Sequence, residues 1–451
     1  MLGKNQIVQV EIVDVTKEGH GVGRADGCAV FIPRTAVGDQ VRAKVIKVLS
    51  SYAVARVEEY LSESPARRQP QCPVYQRCGG CIFCHMEYEE ELRIKNRWVS
   101  DDLQRIGKFS VELPPVLTNG VTEGYRNKAQ YPVRRTPDGK LAVGFFARHS
   151  HQVISCIDCQ LQPAEFSRIL KVILEFLDAY RIPAYDEATH RGLVRHIYLR
   201  RGEATGEIMV CLVLNGTQVP HSQELVRRLL DEDLGITSII LNENRQKTNV
   251  ILGKRCITLY GSDIINDILC GIKVRLSPLS FYQVNHAMAQ KLYETAREFA
   301  GLTGGETLLD LYCGTGTIGL SMAGELKELI GVEIVPQAVE NAWENARANG
   351  ITNARFLCAD AQAAAQQLAL EGVHPDVVVM DPPRKGSAIQ VLDCVDKMAP
   401  QRIVYISCNS ATLARDCAYL KKLGWQVTRA QAVDLFPRTG HVETVALLSR
   451  A

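Results

Sequence analysis

Asp310-Leu-Tyr-Cys-Gly-Thr-Gly-Thr-Ile-Gly319 decides how the C-terminal part of this chain folds. The apolar run before it, TLLDL, reads as a strand, and the residues after it open a helix. Glycines 314 and 316 therefore stand where the backbone turns and can approach a ligand closely. Similar apolar runs follow at regular intervals, namely ELIGVEI, ARFLCAD, DVVVMDPP and RIVYISC. Helical stretches separate them, and this alternation from about residue 300 predicts a parallel sheet covered by helices. The segment PQAVENAWENARANG shows the helix rules. Pro336 fits the first turn, Val335, Ala338, Val339, Ala342 and Ala346 form an apolar stripe, and Gly350 fits the stop.

Acidic residues close the strands. Beside the Asp310 turn, Glu333 ends GVE and Asp360 ends FLCAD. Ligands of open α/β sheets sit at these carboxyl ends, where an acid can accept hydrogen bonds from ribose hydroxyls. NAD fits less well, because GTGTIG departs from the dinucleotide spacing and leaves the DPP segment unexplained. The pattern resembles the class I S-adenosylmethionine methyltransferases.

Two further strand ends carry chemistry. Asp381-Pro-Pro-Arg-Lys-Gly386 follows VVVM, and Ser407-Cys408-Asn409 follows RIVYI. A lone cysteine is more often inert packing. Here the thiol sits at the ligand edge, just before the helical stretch ATLARDCAYL. A helix start and nearby cations, with Arg384 and Lys385 as candidates, are expected to raise its thiolate fraction. Glu443, in GHVETVALL, brings a carboxylate into an apolar strand. Taken alone, it would more often be a surface charge.

Towards the N-terminus the period changes. Residues 1–60 alternate apolar and polar positions between turn signals such as EGHGVGRADG, which predicts a small β-barrel. Residues 61–71 read as a linker, and EYEEELRIKNRWVSDDLQRIG as a helix ending at Gly107. Residues 108–275 mix strand runs with a helical stretch at 164–180. The organisation expected is a barrel at 1–60, a central α+β segment at 61–275 and a Rossmann-like α/β domain at 276–451.

Composition is that of an ordinary globular chain, 46% hydrophobic and 23% charged. No signal peptide or membrane span is expected, so the reading is cytoplasmic. Net charge is only +2, but residues 121–148 carry Arg126, Lys128, Arg134, Arg135, Lys140 and Arg148 against Glu123 and Asp138. Such a patch either contacts phosphates or is a solvated face. The 15 cysteines argue against a secreted disulfide scaffold and for metal binding or catalysis. Cys72, Cys78, Cys81 and Cys84 form a dense run, and Cys156 and Cys159 lie downstream. From spacing alone, Cys78, Cys81 and Cys84 look like part of an iron–sulfur run, with Cys72 or a distant cysteine as fourth ligand; zinc stays open.

SFYQVN at 280–285, DLYCGTG at 310–316, GVE at 331–333, DPPRKG at 381–386, SCNSATLARD at 407–416 and HVET at 441–444 together resemble the RNA 5-methyluridine methyltransferases. The resemblance runs through nearly the whole chain and includes a TRAM-like barrel. It implies S-adenosylmethionine as methyl donor, Cys408 as nucleophile and Glu443 as base. It also implies that Gln283, Tyr312, Gly314, Glu333, Asp360 and Asp381 line the cofactor and target-base pocket. For the cysteines it selects Cys72, Cys78, Cys81 and Cys159 as ligands of a [4Fe–4S] cluster. One departure is Ser410, where the family commonly has proline. Within this resemblance, the barrel and cysteines imply 23S ribosomal RNA as substrate, with transfer RNA or cytosine carbon 5 as alternatives. A monomer with no protein partner is expected. Outside enzymes, the same features would suit an iron–sulfur carrier or an RNA-binding assembly factor.

Overall fold

The computed structural model describes residues 2–136 and 138–450. The N-terminal strands form one six-stranded sheet in the order Ile7–Glu11, Gln40–Val48, Tyr52–Ser62, Cys28–Pro33, His20–Ala25 and Asp14–Val15. Inward positions alternate along each strand, so Val8, Val10, Val41, Ala43 and Val45 share one buried core.

A seven-stranded central sheet runs Arg255–Gly261, Ile236–Glu243, Ile208–Leu214, Val194–Arg201, Lys128–Arg135, Leu141–Phe146 and Val153–Ser155. Helices Ala164–Ala179 and Ser222–Leu230 pack their apolar faces on it. Two pieces of the expected central segment pack against the C-terminal domain. Helix Tyr88–Arg105 buries Ile94, Trp98 and Val99 in the same core as Leu413 and Trp425 of the C-terminal domain. The hairpin Ile265–Leu269 and Ile272–Leu276 shares its core with Ala342 and Ala346 of helix Pro336–Ala348. The hairpin core also takes in Tyr198, Met209 and Ile240 of the central sheet, so the hairpin joins the two domains, and burying each such side chain contributes about 1.5–3 kcal/mol.

The C-terminal sheet has the order Ala354–Cys358, Glu328–Glu333, Thr307–Leu311, Val377–Met380, Arg402–Ser407, Glu443–Arg450, Trp425–Val433. The first five strands are parallel and the last two form an antiparallel hairpin. Period-two alternation fills both faces. Val377 and Val379 enter one core, whereas Val378 and Met380 enter the other. Because Thr307–Leu311 and Val377–Met380 are neighbours that wind outward in opposite directions, a crevice opens past their carboxyl ends. Among the described residues, no helix is long and apolar enough to cross a membrane.

Candidate active site

Cys408 is the first residue after the strand Arg402–Ser407 and stands two residues before the helix Ser410–Lys422. It is half-buried. Asn409 caps that helix, its side chain accepting from the Ala411 N–H at 3.1 Å. The DPPRKG loop is braced against the same helix. Asp416 accepts from the Ser387 N–H at 2.8 Å and from the Tyr405 hydroxyl at 2.6 Å. The Thr412 hydroxyl donates to the Arg384 carbonyl at 3.3 Å. The two loops that carry Asp381 and Cys408 thus form one cross-braced rim.

Strand register brings in the second carboxyl. Ser407 pairs with Thr444 across antiparallel strands, so Glu443 comes beside the residue that follows Ser407. Glu443 is buried, and burial pushes its carboxyl up to about 8, with Asp381 adding to the rise and Arg384 opposing it. Burial likewise pushes Asp381 up to about 7, although part of that residue remains open at the rim. No hydrogen bond offsets either shift, which leaves both carboxyls with acceptor capacity for a ligand.

The thiol departs from expectation. Of the two candidate cations, only Arg384 reaches Cys408, where its hydrogen bond and charge favour the thiolate. Burial and then Glu443 outweigh it, and the thiol is pushed up from its ordinary value. Lys385 is exposed, and only its carbonyl is engaged, accepting from Arg415 at 2.8 Å.

At the crevice, Gly314 has φ +56°, and a Cβ there would meet nothing within 4 Å. The position combines a left-handed backbone with open space. Its N–H donates to the Glu333 carboxylate at 3.1 Å, and the same carboxylate accepts from the Val335 N–H at 2.9 Å. Tyr312 also sits in the left-handed region, at φ +69°, which costs a non-glycine residue about 1–2 kcal/mol. Its hydroxyl lies 3.0 Å from that of Ser387 and so bridges the crevice between neighbouring strands. Gln283 is buried just before helix His286–Ala300, and its carbonyl accepts from Asn127 at 3.0 Å. Asp360 is exposed and caps helix Ala361–Leu370 through the Gln362 N–H at 2.9 Å.

Sequence reasoning left several participants unassigned. Asp310 is fully enclosed, and burial pushes it up to about 8. One of its oxygens accepts from the Gly319 N–H at 3.1 Å, and the other has no partner. The His441 ring lies 3.3 Å from the Arg384 guanidinium. The HVET motif contained that histidine, but nothing local marked it as the neighbour of Arg384.

Six cysteines, Cys72, Cys78, Cys81, Cys84, Cys156 and Cys159, gather around two adjoining cavities. Cys72, Cys78, Cys81, Cys156 and Cys159 line a cavity of about 280 Å³ together with Arg126 and Lys128. Cys81 interacts directly with Cys84, and Cys156 with Cys159. Among the described residues, no three His, Cys, Asp or Glu side chains are close enough together to hold a single metal ion. The basic stretch divides as well. Arg126 and Lys128 face this cavity, and Arg134 pairs with Glu187, so they do not form one continuous exposed stripe.

Residues 88–451 match the family described as tRNA (uracil-5-)-methyltransferase, and residues 2–57 match the TRAM domain. An uncharacterised RNA methyltransferase of Halalkalibacterium halodurans is 43% identical over 99% of this chain and 98% of its own length. One from Clostridium tetani is 40% identical over 99% and 97%. The crystal structure of the Pyrococcus abyssi tRNA (uracil-54, C5)-methyltransferase with S-adenosyl-L-homocysteine superposes with a TM-score of 0.78 at 26% identity, covering 97% of this chain and 99% of that one. With the family matched over most of its length and these relatives aligned end to end, the chain belongs to the RNA uracil-5-methyltransferases and carries an N-terminal TRAM domain.

Proposed function

We propose that this enzyme methylates carbon 5 of a uridine in RNA through a covalent adduct on Cys408, with S-adenosylmethionine as methyl donor. The observation that carries the reading is a thiol and two acceptor-rich carboxyls on one rim: Cys408, Glu443 and Asp381, with Arg384 between them. The donor fits the crevice chemistry. Gly314 leaves room for close approach, and Glu333 is held by two backbone N–H groups, one on each carboxylate oxygen, which leaves each oxygen further acceptor capacity. Gln283, Tyr312, Asp360 and Asp381 complete the lining of that crevice and of the base pocket.

Carbon 5 of uracil is a weak nucleophile. Cys408 forms a bond to carbon 6, and the displaced electron pair moves into an enolate that makes carbon 5 reactive. Arg384 favours the ionised sulfur that this step requires. Carbon 5 then takes the methyl from the sulfonium. Glu443 accepts the proton of carbon 5, the double bond re-forms, and Cys408 leaves with the electron pair of the carbon–sulfur bond. A carboxyl pushed up to about 8 suits a base working near neutrality. The target nucleotide must leave its stack to reach the rim.

For the substrate, 23S ribosomal RNA is the first reading, supported by the TRAM domain followed by a cysteine-rich segment. The Pyrococcus abyssi structure favours transfer RNA as the second reading. Mapping 5-methyluridine in both RNAs with and without the gene decides between them. Loss of the mark from neither would overturn the assignment to uridine. The protein acts in the cytoplasm as a monomer.

A [4Fe–4S] cluster suits the cysteine cavity, because thiols spread around a shared space match a multi-iron group better than a single ion. Cys72, Cys78, Cys81 and Cys159 would hold it and tie two chain segments together. It would act as a structural cross-link; the methyl transfer uses none of these thiols.

A further inference from the structure

The TRAM domain touches the catalytic rim through a single turn. Thr16 and His20 close this turn, the Thr16 N–H donating to the His20 carbonyl at 2.8 Å. Its tip presents Lys17. The ammonium of Lys17 donates to Asp102 at 2.6 Å and to the Ser410 hydroxyl at 3.0 Å, and Ser410 itself donates to Asp102 at 2.5 Å. Ser410 is buried and lies two residues beyond Cys408.

The backbone of the same turn presses on the other side of the rim. A Cβ on Gly440 would lie 1.9 Å from the Lys17 carbonyl oxygen and 3.0 Å from Ile82. Only glycine fits there, three residues before Glu443. The turn is anchored in place. The Trp98 indole donates to the Val15 carbonyl at 2.8 Å, and Val15 is buried in the core that contains Leu413. Proline at position 410 would supply no hydroxyl for this cluster, which gives Ser410 a physical reason in this chain.

We propose that Lys17 is a positioning residue for methyl transfer, so that docking of the TRAM turn sets the spacing between Cys408 and Glu443. This rests on the assignment of those two residues as nucleophile and base. The ammonium, Asp102 and Ser410 fix the loop that carries the nucleophile, and the Lys17 backbone fixes the loop that carries the base. Displacing a reacting group by about 1 Å costs on the order of a hundredfold in rate, so a looser turn lowers turnover more than binding.

Lys17→Met, Lys17→Arg and Ser410→Ala test this in the full-length protein, with thermal melting to confirm folding. In Lys17→Met, amide hydrogen exchange across 407–413 and 437–443 speeds up at least threefold while 307–311 is unchanged. Turnover falls at least tenfold, with KM for RNA within twofold, and Lys17→Arg restores most of it. Ser410→Ala loosens 407–413 alone. Unchanged exchange in both loops overturns the proposal, as does a loss confined to KM for RNA, which would mark Lys17 as a phosphate contact. If the wild-type protein methylates no uridine, the assigned reaction fails, yet the exchange data still decide whether Lys17 holds the two loops.

Discussion

The carboxyl of Glu443 opposes ionisation of the Cys408 thiol, while Arg384 on the same rim supports it. Replacing each neighbour should therefore move the thiol in opposite directions. Glu443→Gln lowers the Cys408 pKa and speeds its alkylation by iodoacetamide above pH 8. Arg384→Gln raises the pKa and slows alkylation. The two variants thus bracket the wild-type profile from opposite sides. Peptide mass spectrometry across a pH series reads both, and identical profiles in all three proteins would remove Arg384 and Glu443 from the thiol's surroundings.

Separate variants dissect the reaction. Cys408→Ala abolishes methylation and leaves S-adenosylmethionine binding, measured by calorimetry, within about threefold. Glu443→Gln still adds to the base but cannot complete the cycle, so a protein–RNA adduct accumulates on denaturing gels. Turnover by Cys408→Ala would eliminate the covalent route.

Glu443 also makes stability depend on pH. Its folded value of about 8 lies above the ordinary carboxyl value of 4.5. Between these limits the folded protein holds a proton that the unfolded chain has lost. The contribution is complete below the lower value and disappears as pH rises through the upper one. Glu443→Gln should therefore gain at least ~1 kcal/mol relative to wild type at pH 9, and much less at pH 5. Denaturant melts at the two pH values check the sign; a gain larger at pH 5 would contradict it.

A buried ion network joins helix Tyr88–Arg105 to the loop before Glu443. Lys95 donates to Glu91 and Asp434, both at 2.8 Å, and the Tyr88 hydroxyl donates to Asp434 at 2.8 Å. Glu91 also accepts from the Arg438 N–H at 2.7 Å. Lys95→Met removes the cation shared by two buried carboxyls, which keep only the Tyr88 and Arg438 donors, and should cost about 3–5 kcal/mol. A loss below ~1 kcal/mol in urea melts would show that water reaches the network.

The cysteine assignment makes a selective prediction. Anaerobically purified protein should contain iron and acid-labile sulfide in equal amounts. Serine at Cys72, Cys78, Cys81 or Cys159 should remove them, whereas serine at Cys84 or Cys156 should retain most of them. Stoichiometric zinc instead, or equal loss at all six positions, would displace the proposed ligand set.

Features with a local cause were legible in the sequence. Strand-end acids, the Gly314 turn, the Pro336 helix start and the alternation of Val377–Met380 all follow from chain periods of two or 3.6. Cys408 and Glu443 were readable as motifs, but their adjacency depends on the register of Ser407 against Thr444. The raised thiol was not readable, because burial is a property of the packed rim and outweighs the cation that the motif displays. Nor was the destination of helix Tyr88–Arg105, whose apolar face says only that it must be covered. Contacts such as Lys17 with Ser410 join residues 393 apart in the chain and leave no trace in either neighbourhood.

Lys95 meets Asp434 across 339 residues of sequence. A ribosome must make 339 further residues before that lysine finds its partner. Until then an ammonium destined for a dry interior stays in water, and the early helix has no lasting seat. Maturation thus waits for the synthesis of Asp434, and a chain cut short before it has neither the seat nor the strand that bears Glu443.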